Sequence, residues 1–341
     1  MSTHAPHHAE RPRAVLALDP PSLADGLFPP DVRSRLDDAV ELDPHVVTEV
    51  ASPGARRRLA DAEVLVAGWG APRVPTELVP RLRAVVYAGG VAATCLADPA
   101  GLAARGVTAS NARAANAVPV AEYTLAMILL ANKRVHAAER TYRERRRTPD
   151  ADRLLARTGN FRRTVGIVGA SQVGRRVAEL LRPFDLDVLV HSPELPPGPV
   201  PSMPGVRSAA LEEVAARSDV LTLHQPLTPE TAGMIDARVL GLLPDGATLI
   251  NTARGGVVDG AALLGELRTG RIDAVLDVTD PEPPAPDDEL WSLPNVVLTP
   301  HVAGSTGTEL GRIGESVVAE VERFARGLEF AHPEELARWA R

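Results

Sequence analysis

The chain has 341 residues, a formal net charge of −7 and 45% hydrophobic residues. This length allows two domains of ordinary size, and the acidic balance argues against a protein that binds nucleic acid or an anionic membrane surface. One cysteine, Cys95, excludes an internal disulfide framework. No apolar run approaches the roughly 18 residues of a membrane-spanning helix, and the start MSTHAPHHAERPR lacks the apolar core of a secretory signal. We therefore expect a cytoplasmic protein without a membrane partner.

The first hundred residues alternate short strand-like runs with helical stretches. Runs rich in Val, Leu and Ala that end in turn residues occupy 14–19, 62–68, 83–90 and 107–111. Near-continuous apolar strands of this kind are typical of a parallel sheet covered by helices on both faces. A long helix follows, and the sequence predicts Asn116 as its cap with Pro119 in its first turn.

A second alternation of strands and helices begins at Thr164. Its first strand is followed by a helix over 171–184 and a strand over 187–192, and the proline-rich stretch 193–205 then leaves no room for a helix. Further strands are predicted at 220–226, 246–253, 274–280 and 295–301. The last forty residues are mostly helical in pattern.

The stretch TVGIVGASQVGRRVAEL, residues 164–180, is close to a dinucleotide-binding fingerprint. Gly169 allows a sharp turn from strand to helix, and Gly174 allows the helix to pack closely on the sheet. The N–H groups between them, including those of Gln172 and Val173, would face a pyrophosphate. Ser171 stands where a second glycine is expected, and its hydroxyl could donate a hydrogen bond to a phosphate oxygen.

The end of the next strand also departs from the fingerprint. Ser192 stands where an acid usually binds the adenosine ribose, and Glu194 follows two residues later. The first downstream cation that could meet a 2′-phosphate is Arg207, which favours NAD over NADP. A degenerate fingerprint also occurs in α/β turns without a ligand, so the loop alone leaves cofactor binding open.

Polar side chains follow three later strands, at Arg254, at Asp277 with Glu282, and at His301. Parallel strands deliver such residues to one edge of a sheet, where ligands bind. Arg254 offers a planar fork for a carboxylate, His301 can exchange a proton near neutral pH, and Glu282 could orient the imidazole. Alone, each has an ordinary explanation as an ion pair, a capping residue or a solvated acid. Together they indicate a hydride-transfer site.

These segments resemble the D-isomer-specific 2-hydroxyacid dehydrogenases, the family of phosphoglycerate dehydrogenase and the glyoxylate/hydroxypyruvate reductases. The likeness runs from about Arg83 to Ser316 and includes YAGGVA, NAVPVAEYTLAMIL, GIVGASQVG, LHQPLTPET, NTARGG, LDVTDPEP and TPHVAGST. The resemblance implies a Rossmann-type doubly wound parallel-sheet cofactor domain, residues 116–307. This domain would be inserted into a flavodoxin-like α/β substrate domain, residues 1–115 plus 308–341.

The resemblance also implies an oxidoreductase that transfers a hydride between NAD and C2 of a small D-2-hydroxy or 2-oxo acid, with NADP as the other possible cofactor, no metal and a homodimeric assembly. Arg254 would bind the substrate carboxylate and carbonyl, with His301 as the acid/base and Glu282 as its partner. Backbone N–H groups of the loop Gly89, Gly90 and Val91 would hold the substrate carboxylate. Asp277 would meet the nicotinamide carboxamide. The expected cofactor-binding residues are Gly169, Ser171, Gln172, Val173, Gly174, Ser192, His224, Pro226, Thr252, Ala253, Asp277 and Gly304.

Other functions remain open on this scaffold. A nicotinamide-sensing regulatory protein can keep Arg254, Glu282 and His301, and Ser171 with Ser192 would suit a cofactor-free relative. Formate dehydrogenase, another relative, has a glutamine where this chain has Glu282. The sequence does not determine which acid is used or the physiological direction.

Overall fold

The computed structural model describes residues 11–146 and 158–339. The chain divides into two compact units. The first comprises the chain up to Asn116 together with Ser305 onward, and the second is Ala117–Gly304. The predicted domain limits, after residues 115 and 307, lie one and three residues from these divisions. The first ten residues of the N-terminal stretch lie outside the described part of the chain.

The first unit is built on one sheet, and its strands are β1 (Arg13–Ala17), β2 (Glu41–Leu42), β3 (Val64–Gly68), β4 (Ala84–Ala88), β5 (Thr108–Asn111) and β14 (Pro333–Glu334). The strand order is β14-β5-β4-β3-β1-β2. β1 to β5 pair in parallel, and β14 joins β5 in the antiparallel sense. The parallel part therefore has the flavodoxin-like order 2-1-3-4-5, which confirms the predicted fold class.

Helices cover both faces of this sheet. They are α1 (Leu23–Leu27), α2 (Pro30–Ala39), α3 (Pro53–Asp61), α4 (Pro99–Ala104) and α11 (Leu310–Ala325), with 3₁₀ helices at Thr76–Leu78, Ala92–Cys95, Gly307–Glu309 and Leu336–Trp339. Successive residues of the central strand enter different cores: Val64 and Val66 lie in one cluster, while Leu65 lies in the other. A strand with both faces buried reads as an unbroken apolar run, which is why β3 and β4 could be predicted.

The second unit has the strands β6 (Arg163–Val168), β7 (Leu186–His191), β8 (Gly198–Pro199), β9 (Val206–Ser208), β10 (Val220–Leu223), β11 (Thr248–Asn251), β12 (Asp273–Leu276) and β13 (Val296–Leu298). Their order is β13-β12-β11-β10-β6-β7-β9-β8. All neighbours are parallel except β8 and β9. The run from β9 to β12 has the Rossmann order 3-2-1-4-5-6, as predicted. The proline-rich stretch holds no helix, but the short strands β8, inside it, and β9, directly after it, were not predicted.

The helices associated with the second unit are α5 (Arg113–Asn132), α6 (Val135–Arg145), α7 (Gln172–Leu181), α8 (Leu211–Arg217), α9 (Ala237–Leu242) and α10 (Gly260–Thr269), with 3₁₀ helices at Gly255–Val257 and Glu289–Trp291. The predicted start of α5 is wrong. The helix begins three residues before Asn116, and Pro119 lies inside it. Asn111 accepts a hydrogen bond from the N–H of Arg113, whereas the Asn116 side chain accepts one from the N–H of Ser305.

Helix α5 also corrects the expectation that no segment is long and apolar enough to cross a membrane. It has 20 residues and passes that test by length and composition alone. Ala121 and Ile128, each 0% exposed, belong to a core cluster of the second unit, and Thr124 is equally buried. The length and apolar composition of α5 are therefore those of a helix that packs one face into a protein core.

Candidate active site

The predicted site residues of the second unit follow the carboxyl ends of neighbouring parallel strands. Gly169 follows β6, Ser192 follows β7, His224 follows β10, Thr252 follows β11 and Asp277 follows β12. Because these strands are parallel, their carboxyl ends lie along one edge of the sheet. The strand order reverses between β6 and β10, which is where ligands bind in open α/β sheets.

Two glycines of the phosphate loop are required by their surroundings. Gly169 has φ +103°, and a Cβ on it would lie 2.9 Å from the backbone N of Gln225. A Cβ on Gly174 would lie 2.0 Å from the carbonyl oxygen of Gly169. Any larger residue at either position would collide with backbone. Glycine at 169 lets the loop approach the residues after β10, and glycine at 174 lets α7 begin close against Gly169.

Ser171 does not need the conformational freedom of glycine. Its φ is −63° and its ψ is 177°, and it caps α7 by accepting a hydrogen bond from the N–H of Gly174 at 3.3 Å. The N–H groups of Ser171, Gln172 and Val173 find no acceptor among the described residues. Free N–H groups at the positive end of a helix form an anion-binding site. The Ser171 hydroxyl proton also remains available to a phosphate oxygen.

Ser192 links the phosphate loop to Glu194. Its hydroxyl oxygen accepts a hydrogen bond from the N–H of Ala170 at 3.0 Å. Its hydrogen bond to Glu194 is the main cause of a lowered pKa of that carboxyl, and the positive charge of Arg175 lowers the pKa further. Arg175 donates to the carbonyl of Ala170 at 2.8 Å and to the hydroxyl of Ser202 at 3.0 Å.

A second cation near this strand end, Arg175, lies upstream of β7 and was not predicted from the sequence. That residue stands one position after Gly174 on α7, and the helix brings it to the Glu194 side of the loop. The prediction that Arg207 is the first cation available at the end of β7 is therefore wrong, because Arg175 already acts on Glu194. One carboxylate, Glu194 after β7, and one guanidinium, Arg175 on α7, therefore act at this strand end.

Two buried polar atoms beside the phosphate loop have no partner among the described residues. They are Nδ1 of His224 and Nε2 of Gln225. His224 Nε2 lies 3.1 Å from the hydroxyl oxygen of Thr222, and burial lowers the pKa of His224 to about 3. Unpaired buried polar atoms call for an explanation. With the free N–H groups of α7, they fit the polar groups of a bound dinucleotide.

A buried asparagine that was not predicted from the sequence shapes the loop that carries Arg254. Asn251 is 1% exposed; its Oδ1 accepts from the N–H of Ala253 at 3.0 Å, and its Nδ2 donates to the carbonyl of Arg254 at 2.9 Å. The Arg254 side chain is exposed and donates to the carbonyl of Ala253 at 2.6 Å. Within the described chain it forms no hydrogen bond with Glu282 or His301.

The loop of Arg254 packs directly on the loop that leads to Glu282. A Cβ on Gly255 would lie 2.1 Å from the carbonyl carbon of Thr279. The hydroxyl of Thr252 lies 3.2 Å from that of Thr124 on α5. Glycine at 255 is thus required for the contact between the two loops. Of the remaining predicted cofactor residues, Thr252 and Ala253 lie on the loop of Arg254, Pro226 follows β10 and Gly304 follows β13; Pro226 is exposed and the other three are half-buried.

Asp277 holds the turn that presents His301. It is 2% exposed and accepts hydrogen bonds from the hydroxyl of Thr299 at 2.6 Å and from the N–H groups of Val302 and Ala303 at 2.8 and 2.9 Å. A carboxylate has about four acceptor positions, which leaves one for the nicotinamide contact predicted for Asp277. The positioning of the His301 turn was not foreseen from the sequence.

His301 and Glu282 are brought together. The imidazole Nδ1 lies 2.7 Å from Oε1 of Glu282, and the side chains are 49% and 41% exposed. His301 has φ +53°, a conformation that costs a residue with a Cβ of the order of 1–2 kcal/mol. Its N–H donates to the carbonyls of Asp277 and Thr299, each at 3.0 Å. Strain of this kind occurs at functional sites.

The predicted carboxylate-binding loop, Gly89 to Val91, belongs to the first unit. The N–H groups of Gly90 and Val91 have no acceptor among the described residues. Gly89 differs from the prediction, because its N–H already donates to the carbonyl of Tyr87 at 2.8 Å. Two of the three expected donors are therefore free to bind an anion.

Comparison with known proteins agrees with this architecture. The model of the NAD binding domain of D-isomer specific 2-hydroxyacid dehydrogenases matches residues 125–303. The D-3-phosphoglycerate dehydrogenase of Mycobacterium tuberculosis is 36% identical over 271 residues, which are 79% of this chain and 48% of that protein. This chain thus spans about half the length of that curated relative.

Two other proteins match along most of their length. The glyoxylate reductase of Korarchaeum cryptofilum is 32% identical over 302 residues, 86% of this chain and 89% of that protein. The solved structure of a D-isomer specific 2-hydroxyacid dehydrogenase from Xanthobacter autotrophicus Py2, in complex with NADPH and MES, has a TM-score of 0.70 and 25% identity, covering 96% of this chain and 99% of the other. This chain belongs to the family of D-isomer specific 2-hydroxyacid dehydrogenases, and its second unit is the NAD-binding domain.

Proposed function

We propose that this chain is a dehydrogenase or reductase that transfers a hydride between NAD or NADP and C2 of a small D-2-hydroxy or 2-oxo acid. The observation that carries the proposal is the 2.7 Å contact of His301 with Glu282, on the sheet edge that also carries the phosphate loop. A histidine held by a carboxylate is a proton donor and acceptor. An active enzyme requires this arrangement, and turnover of a 2-oxo acid separates it from a regulatory relative that keeps the same residues.

In the reduction direction, His301 would donate its proton to the carbonyl oxygen of the 2-oxo acid. Glu282 accepts the Nδ1–H, which leaves Nε2 as the nitrogen that exchanges a proton with substrate. The Glu282 carboxylate would also orient the ring and stabilise its protonated form. In the oxidation direction the same nitrogen would remove the hydroxyl proton.

Arg254 would bind the substrate carboxylate and polarise the adjacent carbonyl. Its side chain is exposed and bonded only to the carbonyl of Ala253 within the described chain, so most of its N–H donors remain available. The guanidinium fork matches a carboxylate in two-point geometry. In the first unit, the free N–H groups of Gly90 and Val91 would be a second set of donors for a carboxylate.

The second unit would hold the cofactor along its carboxyl edge. The N–H groups of Ser171, Gln172 and Val173 would bind the pyrophosphate, and the unpaired polar atoms of His224 and Gln225 would meet other polar groups. When bound, the nicotinamide cofactor supplies or accepts the hydride. We propose NAD as the preferred form, because the ionised Glu194 at the end of β7 disfavours a 2′-phosphate, whereas Arg175 would partly offset that charge.

The assembly and setting also belong to this proposal. We infer a homodimer that acts in the cytoplasm on a small-molecule acid, with no nucleic-acid or membrane partner. The net charge of −7 supports the absence of a nucleic-acid partner. Light scattering on the eluted protein should give a mass near twice 36.1 kDa, and a monomer mass would contradict the dimer.

Oxidation of resolved hydroxy acids tests the reaction class and its stereochemistry together. Purified protein is mixed with NAD or NADP and either the D or the L enantiomer of lactate or glycerate. We expect reduced cofactor to accumulate only with D enantiomers. Equal rates with both enantiomers would contradict a D-specific site, and no reaction in either direction with any of these acids or their 2-oxo forms would contradict the proposal.

A further inference from the structure

Four consecutive backbone N–H groups, at residues 90–93, divide into two pairs. Those of Gly90 and Val91 have no acceptor among the described residues. Those of Ala92 and Ala93 donate to the two oxygens of Glu334, at 3.1 and 3.3 Å. A carboxylate from the C-terminal part of the chain thus occupies half of this row of donors.

Glu334 is buried and fully engaged. Its side chain is 4% exposed and lies 3.5 Å from the guanidinium of Arg113, and it accepts a further hydrogen bond from the amide of Asn111 at 2.7 Å. Burying a carboxylate is unfavourable unless it is paired and hydrogen-bonded. Replacing one of its two oxygens by a donor would leave the N–H group of Ala92 or of Ala93 buried without an acceptor.

A second buried glutamate fixes the segment that carries Glu334. Glu320 on α11 is 2% exposed and accepts hydrogen bonds from the N–H of Ala331 at 3.1 Å and from the hydroxyl of Ser110 at 2.9 Å. Glu334 then pairs with Ala109 where β14 joins β5. The position of the Glu334 carboxylate is therefore set by the sheet.

Arg113 connects the two halves of the row. Its Nε donates to the carbonyl of Gly90, and its charge faces Glu334. The bond to Gly90 fixes the peptide that leads into Val91. The positive charge offsets the negative charge of Glu334, so that a second carboxylate can bind next to it.

We propose that Glu334 is a positioning residue for substrate binding, an inference that rests on the function proposed above. By holding the N–H groups of Ala92 and Ala93, Glu334 fixes the loop in the form that presents the N–H groups of Gly90 and Val91. Those two donors bind the carboxylate of the 2-oxo acid. Glu334 itself does not touch the substrate.

Glu334→Gln tests the inference. It keeps the size of the side chain but replaces one carboxylate oxygen, an acceptor, by an NH₂ group that cannot accept the hydrogen bond of a backbone N–H. We expect the KM for glyoxylate to rise about tenfold with an unchanged Kd for NADH, since the cofactor residues belong to the other unit. The matched control is Glu335→Gln, an exposed neighbour paired with Arg338, which should match wild type. An unchanged glyoxylate KM in Glu334→Gln, with active wild type, would overturn the inference and leave the proposed function intact.

Hydrogen exchange of the peptide covering residues 88–96 gives a readout that needs no activity. Faster exchange in Glu334→Gln, but not in Glu335→Gln, would support the positioning role. This holds even if the wild-type protein reduces no 2-oxo acid, because an inactive wild type would contradict only the proposed function. Unchanged exchange would overturn the inference. If Glu334→Gln fails to fold, Arg113→Gln replaces it in the test, because the Arg113 side chain is 45% exposed. Arg113→Gln should raise the glyoxylate KM, and an unchanged KM would overturn the inference.

Discussion

The imidazole Nδ1 of His301 lies 2.7 Å from Oε1 of Glu282 across 19 positions of sequence. The two residues come from different loops, one after β13 and one after β12. Asp277 fixes the first loop through the N–H groups of Val302 and Ala303. The contact is therefore built by the packing of two loops at one sheet edge. Because Glu282 occupies Nδ1, Nε2 is the ring nitrogen that we propose exchanges a proton with substrate.

Replacing His301 by alanine should lower kcat for 2-oxo acid reduction about 10²- to 10⁴-fold, the usual contribution of general acid catalysis. The Kd for NADH should remain nearly unchanged. His45→Ala is the matched control, because His45 also faces a carboxylate, Asp43, at 3.3 Å but is exposed in the first unit. Stopped-flow turnover and NADH fluorescence measure the two quantities. Equal losses in turnover and NADH affinity would indicate a structural histidine.

Arg254→Lys should raise the KM for the 2-oxo acid about 10- to 100-fold, because an ammonium cannot form the two parallel bonds of the guanidinium fork. Steady-state kinetics at saturating NADH measures the change. Arg238→Lys, at an exposed ion pair with Glu212, should behave as wild type. Unchanged kinetics in Arg254→Lys would remove this residue from the site.

His224 should make the folded protein sensitive to acid. Burial lowers its pKa from 6.5 to about 3, so between these values the unfolded chain binds a proton that the folded chain does not. Above the unfolded pKa of 6.5, His224 does not lower the free energy of unfolding. As the pH falls below that value, protonation of the unfolded chain lowers the free energy of unfolding. Going from pH 7.5 to pH 5.0 should lower the free energy of unfolding of wild type by about 2 kcal/mol more than that of His224→Gln. Urea unfolding at both pH values measures this difference, and parallel pH dependence of the two proteins would contradict it.

Ser171→Ala should lower the free energy of unfolding by about 1 kcal/mol, the usual contribution of a serine N-cap, whereas Ser171→Gly should cost only a few tenths. Ser22→Ala is the control, because Ser22 precedes α1 without forming a side-chain cap hydrogen bond. Denaturant unfolding of the three variants tests this order. A larger loss with glycine than with alanine would mean that Ser171 does not act as the cap.

The parts of this protein that could be predicted are those marked by a pattern of neighbouring residues in the sequence. The strands β3 and β4 are unbroken apolar runs because both of their faces are buried. Arg254, Glu282 and His301 could be placed on one edge because each follows a parallel strand. The strands β8 and β9 were missed because they are only two and three residues long and lie within and directly after a proline-rich segment.

Other features depend on contacts that are distant in sequence. Glu334 stands in a polar stretch without a motif, and its partner Ala92 is 242 positions away. Arg175 was missed because its contact with Ala170 requires the turn into α7. The start of α5 was misplaced because Asn116 is a good helix cap by type, but its side chain binds Ser305 instead. Tertiary contacts override local preference in such cases.

Cofactor binding and turnover together test whether this chain is an active dehydrogenase. The purified protein is titrated with NADH and NADPH, and glyoxylate, hydroxypyruvate or pyruvate is then added at saturating cofactor. We expect tight binding of NADH, with NADPH weaker, and loss of NADH absorbance when one of these acids is added. That result would mean that the Ser171 cap and the Ser192–Glu194 pair support a working site. Failure of both cofactors to bind would contradict the dehydrogenase account.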